Sequence, residues 1–472
     1  MNERYLTWGV LLSSALAIFM VNIDITIVNV ALPSLVTTFS TSFGGISLVT
    51  LSYLVSVTAF LLLSGKLSDI IGPELVLRYG YGIFILGSLC CGLSQSLDEM
   101  VVFRFIQGIG ASMLFAASAP VIIRYIPENW TGRAYGINGL FACIGFALGS
   151  PLGGYIQEIA GWSWIFFVNI PIGIGGIVLT LLILTRPYPR RFPVSIDRMG
   201  AVLSLVLLVS LTYTLHSLTD LTNHLRFPIS FLVTAISFFL FIWHERRTAD
   251  PLLDCAIFHD RTLNLALIAF FFYMIILSGT SFLFPFYFIT ICGMSATMAG
   301  IFLAIPSALS IVLAYVSGWL SDRIGPRIPC SIGLLFCLLA GLGFVGFNET
   351  SSLYEIIGSL VVFGLGIGLF VPASVAFIMN QATRDNSGTI SGVKSLVSQI
   401  GGIIGISVFT LIMSAGIPVL DVTNRSHLDS VATQFSIAMG FVCISALLGL
   451  FTCIAAKPRI IINNNNHLEG MK

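Results

Sequence analysis

The chain has 472 residues, 56% of them apolar and only 9% charged, with a formal net charge of +1. A water-soluble domain carries about 25% charge, so a soluble globule is excluded, and a near-neutral chain without a basic tract offers nothing to nucleic acid. What remains is an integral membrane protein in which each charge needs its own explanation.

A membrane-crossing helix needs about 20 mostly apolar residues. In chain order, such runs fall near 7–32, 46–64, 77–95, 100–123, 134–157 and 162–184. The first is too long for a cleavable leader, and no small-residue cleavage pattern follows it. Two more runs lie near 199–217 and 228–243, and six near 263–290, 297–320, 330–347, 353–378, 389–414 and 432–456. Fourteen predicted spans is an even number, so both termini are expected on one side. If that side is cytoplasmic, the 22 lysines and arginines all fall there except Arg226 and Arg425, which fall outside, and Arg104, which falls within a span. Positive charge accumulates on cytoplasmic loops, and one span missed or invented mid-chain would scatter this pattern. The expectation is a multi-pass protein of the cell membrane with both termini cytoplasmic.

The spans group as six, two and six. Residues 1–190 read as a six-helix bundle, 191–260 as a two-helix insert with its linkers, and 261–460 as a second six-helix bundle. Residues 461–472, which include Asn463-Asn464-Asn465-Asn466, read as a disordered cytoplasmic tail. The grouping rests on a repeat. Gly65-Lys66-Leu67-Ser68-Asp69-Ile70-Ile71-Gly72-Pro73 follows the second span of the first block, and Gly318-Trp319-Leu320-Ser321-Asp322-Arg323-Ile324-Gly325-Pro326-Arg327 follows the second span of the last. Two related halves about a midplane cavity is a common plan for secondary transporters.

Asp24 lies inside the first span. A charge at mid-bilayer costs about 2.5–3.5 kcal/mol, which makes such a residue a functional candidate by default. Nine residues separate it from Pro33, about 14 Å of helix, and Arg104 enters the fourth span by about 8 Å. An arginine side chain reaches several Å further, so the two can meet in the outer half of the membrane, with Gln107 one turn away as a link. Asp24, Arg104 and Gln107 are therefore the candidate proton-coupling residues. The alternatives are that Arg104 reaches up to the outer surface while Asp24 caps a kink, and that Gln107 is a packing amide.

In the fifth span Gly145, Gly149 and Gly153 recur every four residues and make a smooth face for close helix approach, while Pro151 removes a backbone hydrogen bond and bends the span. Candidates to line a cavity are Asn22, Asn29, Tyr53, Phe115, Asn138, Phe141, Tyr273, Phe284 and Asn380. The nine cysteines are scattered without metal-type spacing and read as packing residues. The histidines are dispersed, and no Gly-Lys-Ser or Gly-Lys-Thr phosphate loop occurs, which disfavours an enzyme or direct ATP drive. No cofactor and no metal are expected, the proton gradient being the source of energy.

Four stretches resemble, in the right order, motifs of the fourteen-span drug:proton antiporters of the major facilitator superfamily. Asp24-Ile25-Thr26-Ile27-Val28-Asn29-Val30-Ala31-Leu32-Pro33 resembles their first-span signature, and Arg104-Phe105-Ile106-Gln107-Gly108-Ile109-Gly110-Ala111-Ser112 their fourth-span motif. Gly145-Phe146-Ala147-Leu148-Gly149-Ser150-Pro151-Leu152-Gly153-Gly154 resembles the antiporter motif of span five, and Trp162-Ser163-Trp164-Ile165-Phe166-Phe167-Val168-Asn169-Ile170-Pro171 the start of span six. The resemblance covers nearly the whole chain. It implies an all-α integral membrane protein of major-facilitator-type fold, two six-helix bundles plus two inserted central helices, and proton-coupled export of small amphipathic, neutral or monocationic compounds. A specific metabolite, siderophore or amino acid is the alternative cargo.

It also implies gating roles for Gly65, Asp69, Gly72, Gly145, Gly149, Pro151, Gly153, Gly154, Asp322, Arg323 and Arg327. The first loop motif departs from the family: Ile70, Pro73 and Glu74 stand where basic partners of Asp69 are usual. Asp69 is then expected to cap the next helix or to use Arg78 or Arg133, and the first latch to be weakened or rebuilt. The expected partners are the lipid bilayer, protons and a small-molecule substrate. A monomer is the default, and no outer loop is long enough to support an adaptor protein.

Overall fold

The computed structural model describes residues 3–184, 197–219, 225–248, 255–382, 387–416 and 425–456. The tail at 461–472 and parts of the linkers within 191–260 lie outside the described residues. Fourteen described helices are long and apolar enough to cross a membrane. They are α1 (Glu3–Phe39), α2 (Phe43–Ile71), α3 (Pro73–Leu93), α4 (Leu97–Tyr125), α5 (Glu128–Ala160) and α6 (Trp164–Ile183). The insert supplies α7 (Arg198–Ser217) and α8 (Arg226–Glu245). There follow α9 (Arg261–Ile291), α10 (Ala296–Ile324), α11 (Arg327–Val345), α12 (Leu353–Met379), α13 (Ser387–Gly416) and α14 (Arg425–Ala455).

Local chemistry sets the ends. Ser42, Ser96, Ser295 and Ser352 accept backbone N–H bonds at the starts of α2, α4, α10 and α12, and Asp260 does so for α9. These groups satisfy the donors that a helix start leaves unpaired. The repeated motif turns out to be mostly helix: α2 runs on through Asp69 to Ile71, and α10 through Asp322 to Ile324. Each copy then stops at a glycine with positive φ, Gly72 at 95° and Gly325 at 82°. Such backbone is open to glycine and strained for other residues, and the prolines that follow bar a continuous helix. The repeat is thus a turn device.

Helix α1 begins at the face that carries the repeated motif, here called the basic face, and ends at the opposite, distal face. Within the first lobe α1 packs on α4, α5 and α6; within the second, α9 packs on α13 and α14, and α10 on α12. The lobes join along α5–α10 and α2–α13, and α7 of the insert rests beside the second seam, against α2 and α13. Helix α8 is almost wholly exposed, as suits a lipid-facing helix.

The contact between lobes is uneven along the membrane normal. Distally, a Cβ at Gly154 would collide with the Ala296 carbonyl, and one at Gly300 with the Ser150 carbonyl. Thr297 donates from its N–H and its hydroxyl to Glu158, at 3.2 and 2.5 Å. Glu158 is exposed at the distal end of α5 and ties the two lobes together. Toward the basic face the same helices stand clear: Gly132, Gly136 and Gly139 of α5 and Gly318 of α10 have open space at their Cβ positions. Along the α5–α10 seam the lobes are closed distally and open toward the basic face, while on the other seam Gly392 of α13 stays within van der Waals reach of Leu62 of α2.

The glycine face of α5 does something other than close the lobes. Gly145, Gly149 and Gly153 abut the α1 carbonyls of Phe19, Ile23 and Ile27, at 2.7, 2.8 and 2.9 Å from ideal Cβ positions. That contact lies inside the first lobe; of the glycines assigned to gating in this motif, Gly154 alone meets the second. Pro151 sits within a continuous α5.

Candidate functional site

The first lobe is built around Asp24. Its carboxylate is fully buried, 0% exposed, and meets three donors from two other helices. Arg104 Nη1 donates to Oδ2 at 2.7 Å, and Gln107 Nε2 and Asn169 Nδ2 donate to Oδ1 at 2.9 and 2.8 Å. Arg104, equally buried, also donates from Nη1 to Gln107 Oε1 at 2.7 Å and from Nε to the Val49 carbonyl at 3.3 Å. Its guanidinium lies 4.2 Å from the Tyr53 ring centroid. Ser88 of α3 closes the network, accepting from Gln107 Nε2 at 3.1 Å and from Asn169 Nδ2 at 3.0 Å. Gly87 makes this possible, because a Cβ there would fall 2.7 Å from the Gln107 Cα and hold α3 away from α4.

A buried ion pair is stable only when its remaining hydrogen-bonding capacity is met, and every donor here points at the carboxylate as an anion. Adding a proton to Asp24 would turn one of its oxygens from acceptor into donor and cancel the charge that holds Arg104.

Arg104 is also the bridge to the lobe interface. It forms part of the wall of a cavity of about 280 Å³ between the lobes, with Asn22, Asn29, Tyr53 and Phe115. The opposing wall comes from α9 and α13, including Ser281 and Gln399. A small adjoining pocket of about 40 Å³ reaches Phe284. Of the expected cavity residues, four therefore line the main chamber and Phe284 its extension. The other four do not. Asn138 donates to Ser14 at 2.8 Å and Phe141 packs edge-on to Phe19, both between α5 and α1. Tyr273 stacks on Phe370 inside the second lobe at 4.4 Å, and Asn380 is exposed at the C-cap of α12. Ser88 and Asn169 were not anticipated. Asn169 sat in a quoted motif, and an amide in an apolar run was the available signal.

A model of the major facilitator superfamily matches residues 14–406. The chain belongs to that superfamily. Its relatives include the riboflavin transporter RibZ of Clostridioides difficile (strain 630), 29% identical over 406 residues that span 85% of this chain and 87% of that protein. The multidrug resistance protein Stp of Mycobacterium tuberculosis (strain CDC 1551 / Oshkosh) is 29% identical over 429 residues, 89% of this chain and 78% of that one. Among solved structures, a bacterial homologue of the human lysosomal transporter Spinster, inward-facing and unoccupied, superposes with a TM-score of 0.70 at 16% identity, over 95% of this chain and 97% of that chain. This superfamily member is a multi-pass membrane transporter and not an enzyme.

Around the first copy of the loop motif the described contacts join neighbouring helices, and the N-cap of α3 is Gly72, which offers no side chain. Arg78 donates to the carbonyls of Thr180 and Leu184 at the end of α6, at 3.0 and 2.6 Å. Glu74, the acid that replaces an expected base, forms an ion pair with Arg124 of α4, its carboxylate 2.9 Å from the Arg124 Nε. In the second copy Arg323 lies over the Trp319 ring, 4.4 Å from its centroid, and Arg327 donates to the Ile454 carbonyl. Asp322 is exposed and makes no ion pair among the described residues.

The insert carries its own polar lock outside the spans. Asp197 caps α7 through Gly200 N–H at 2.9 Å and pairs with His244 Nε2 of α8 at 2.7 Å. Burial pushes the Asp197 carboxyl up, but the Gly200 bond, His244 and the positive charge of Lys66 outweigh it and hold the group below the usual carboxylate range. Lys66 belongs to the first copy of the repeat.

Proposed function

We propose that this transporter exports small amphipathic compounds, neutral or monocationic, in exchange for protons by alternating access, with Asp24 as the proton carrier. The observation that carries the reading is a buried carboxylate whose arginine partner forms the wall of the inter-lobe cavity. With Asp24 ionised, Arg104 is held by Asp24, Gln107 and Val49. Once Asp24 is protonated, the guanidinium loses its counter-charge and turns to whatever the cavity offers, so proton and cargo compete for the same wall. Gly154, Ser150 and Glu158 would open as the lobes rock, while the Gly145–Gly149–Gly153 face keeps α5 fixed to α1. The charge asymmetry supports a cell-membrane orientation with both termini cytoplasmic, a monomer being sufficient for the cycle.

A proton moving down about 100 mV and one pH unit supplies about 3.7 kcal/mol, enough for roughly a five-hundredfold gradient of a neutral cargo. For a monocation the electrical part cancels, and about tenfold remains. Purified protein in liposomes, with an imposed pH gradient and a panel of dyes, tests the scheme. Asp24→Asn should abolish gradient-driven movement while leaving passive exchange, and normal driven movement by the variant would end it. A single-metabolite exporter is the second reading, favoured by the riboflavin transporter among the relatives; movement of no dye at all would select it.

A further inference from the structure

The chamber between the lobes has an unusual polarity. No carboxylate is among the described residues that line it; Asp24 stands behind Arg104 with its three donors already in place. The charge on the wall is the guanidinium of Arg104, whose Nη2 makes no hydrogen bond among the described residues. Three acceptors on the same wall are also unpartnered: Asn29 Oδ1, Thr50 Oγ1 and the Tyr53 hydroxyl oxygen. Those side chains are 7%, 5% and 1% exposed, so they are buried polar groups without partners. A buried acceptor is costly while it stays unmet, which marks a surface built to be completed by something else. Around them stand the faces of Tyr53, Phe115 and Phe146. One turn along α13 from the lining residue Ser398, Lys394 is partly buried beside the Phe270 ring at 5.8 Å.

We infer that the cavity selects uncharged aromatic compounds bearing an amide-like edge, a carbonyl beside an N–H, and discriminates against cations. This rests on the reading of the cavity as the transport site and narrows its cargo from neutral or monocationic to neutral. The carbonyl of such an edge meets Arg104 Nη2, its N–H meets Asn29 Oδ1 or Thr50 Oγ1, and the ring plane lies against Tyr53 and Phe115. A cation finds no counter-charge among the described lining residues and meets the like charge of Arg104. The same wall serves exchange: when Asp24 is protonated, Arg104 can satisfy itself on the acceptors that otherwise hold the cargo. A neutral cargo also draws on the whole proton-motive force rather than its chemical part.

The test is equilibrium binding to the full chain in nanodiscs at fixed pH with no gradient, using 6(5H)-phenanthridinone, a neutral aromatic lactam with its carbonyl beside its N–H, and N-methylphenanthridinium, its cationic counterpart. The lactam should bind at least about tenfold more tightly. The double variant Thr50→Val/Asn29→Leu, which removes both acceptors, should weaken the lactam by about fivefold and leave the cation unchanged. Asn29→Asp, nearly isosteric, places a carboxylate in the wall and should reverse the preference; that gain of binding cannot come from misfolding. Equal affinities, a wild-type preference for the cation, binding of neither probe, or a double variant that binds the lactam normally would each overturn the inference. Because no gradient is applied, failure of proton coupling in liposomes would leave this result standing, and a failure here would leave the coupling scheme intact.

Discussion

The two lobes share a backbone plan and differ in what fills their centres. In the first, α1, α3, α4 and α6 converge on a charged network in which Asp24, Arg104, Gln107, Asn169 and Ser88 satisfy one another. In the second, the interior holds packed rings: Tyr273 stacked on Phe370 at 4.4 Å, Tyr287 stacked on Phe435 at 4.7 Å and Phe284 edge-on to Phe344 at 4.9 Å. What the repeat preserves is the turn at Gly72 and Gly325; the chemistry is not duplicated. In the proposed cycle one lobe changes its charge state, and the other is the apolar body against which it moves.

That contrast can be broken at several points. The largest effect is expected for Arg104→Gln, which strands a buried carboxylate and should cost about 3–5 kcal/mol. Thermal unfolding in detergent would read this as a marked loss, and the double variant with Asp24→Asn should recover most of it without recovering proton-driven transport. If the double variant is no more stable than the single one, the pair is not the organising contact of the lobe.

Phe344→Ala in the second lobe removes a fully buried ring that touches Phe284, Phe347 and Phe363. A loss of about 3 kcal/mol is expected from the cavity it leaves. The ratio of protons to cargo, measured in liposomes, should stay at the wild-type value, because no titrating group is disturbed. A changed ratio would mean that the aromatic lobe takes part in coupling.

Asn169→Ala sharpens the comparison from the other side. It deletes one of three donors to Asp24 and leaves Ser88 with one fewer partner, for about 1–3 kcal/mol. Its transport should fall at high pH and recover as pH drops, since the missing donor matters to the ionised carboxylate and not to the protonated acid.

The smallest effect belongs to the insert. A carboxyl held below its usual range, as Asp197 is, adds stability that is complete above the unfolded-state value, near pH 4, and is lost as pH falls through the lower folded-state value. The protection of α7 and α8 amides, with exchange corrected for its intrinsic pH dependence, should therefore fall with acid below about pH 4. Asp197→Asn should exchange faster by a small factor at neutral pH and lose that acid dependence.

Much of the fold could be read from the chain because the cost of moving polar groups into lipid is summed along each run, independently of neighbours. That is why all fourteen spans stood out, and why their ends, set by Ser42, Ser96, Gly72 and Gly325, lie a turn or two beyond the apolar stretches. The meeting of Asp24 and Arg104 was legible for a related reason: depth follows from residue count, and two opposite charges at similar depth seek one another. Asn169 gave the weaker signal of an amide in an apolar run and Ser88 gave none, since a neutral polar side chain in a helix is tolerated wherever it finds a partner. Asn380, Asn138, Phe141 and Tyr273 were plausible by type, yet they face a helix end or a lobe interior.

The sequence by itself fixed how many times this protein crosses the bilayer, which side gathers its positive charge, and which charges remain inside. The tertiary structure alone decided who faces whom. Helix rotation about its own axis carries no cost in uniform lipid, so it is set by close packing, such as Gly87 on Gln107 and Gly149 on Ile23. Those contacts turn Asp24 toward Asn169, turn the glycine face of α5 toward α1 instead of the other lobe, and leave Arg104 on the wall of the chamber.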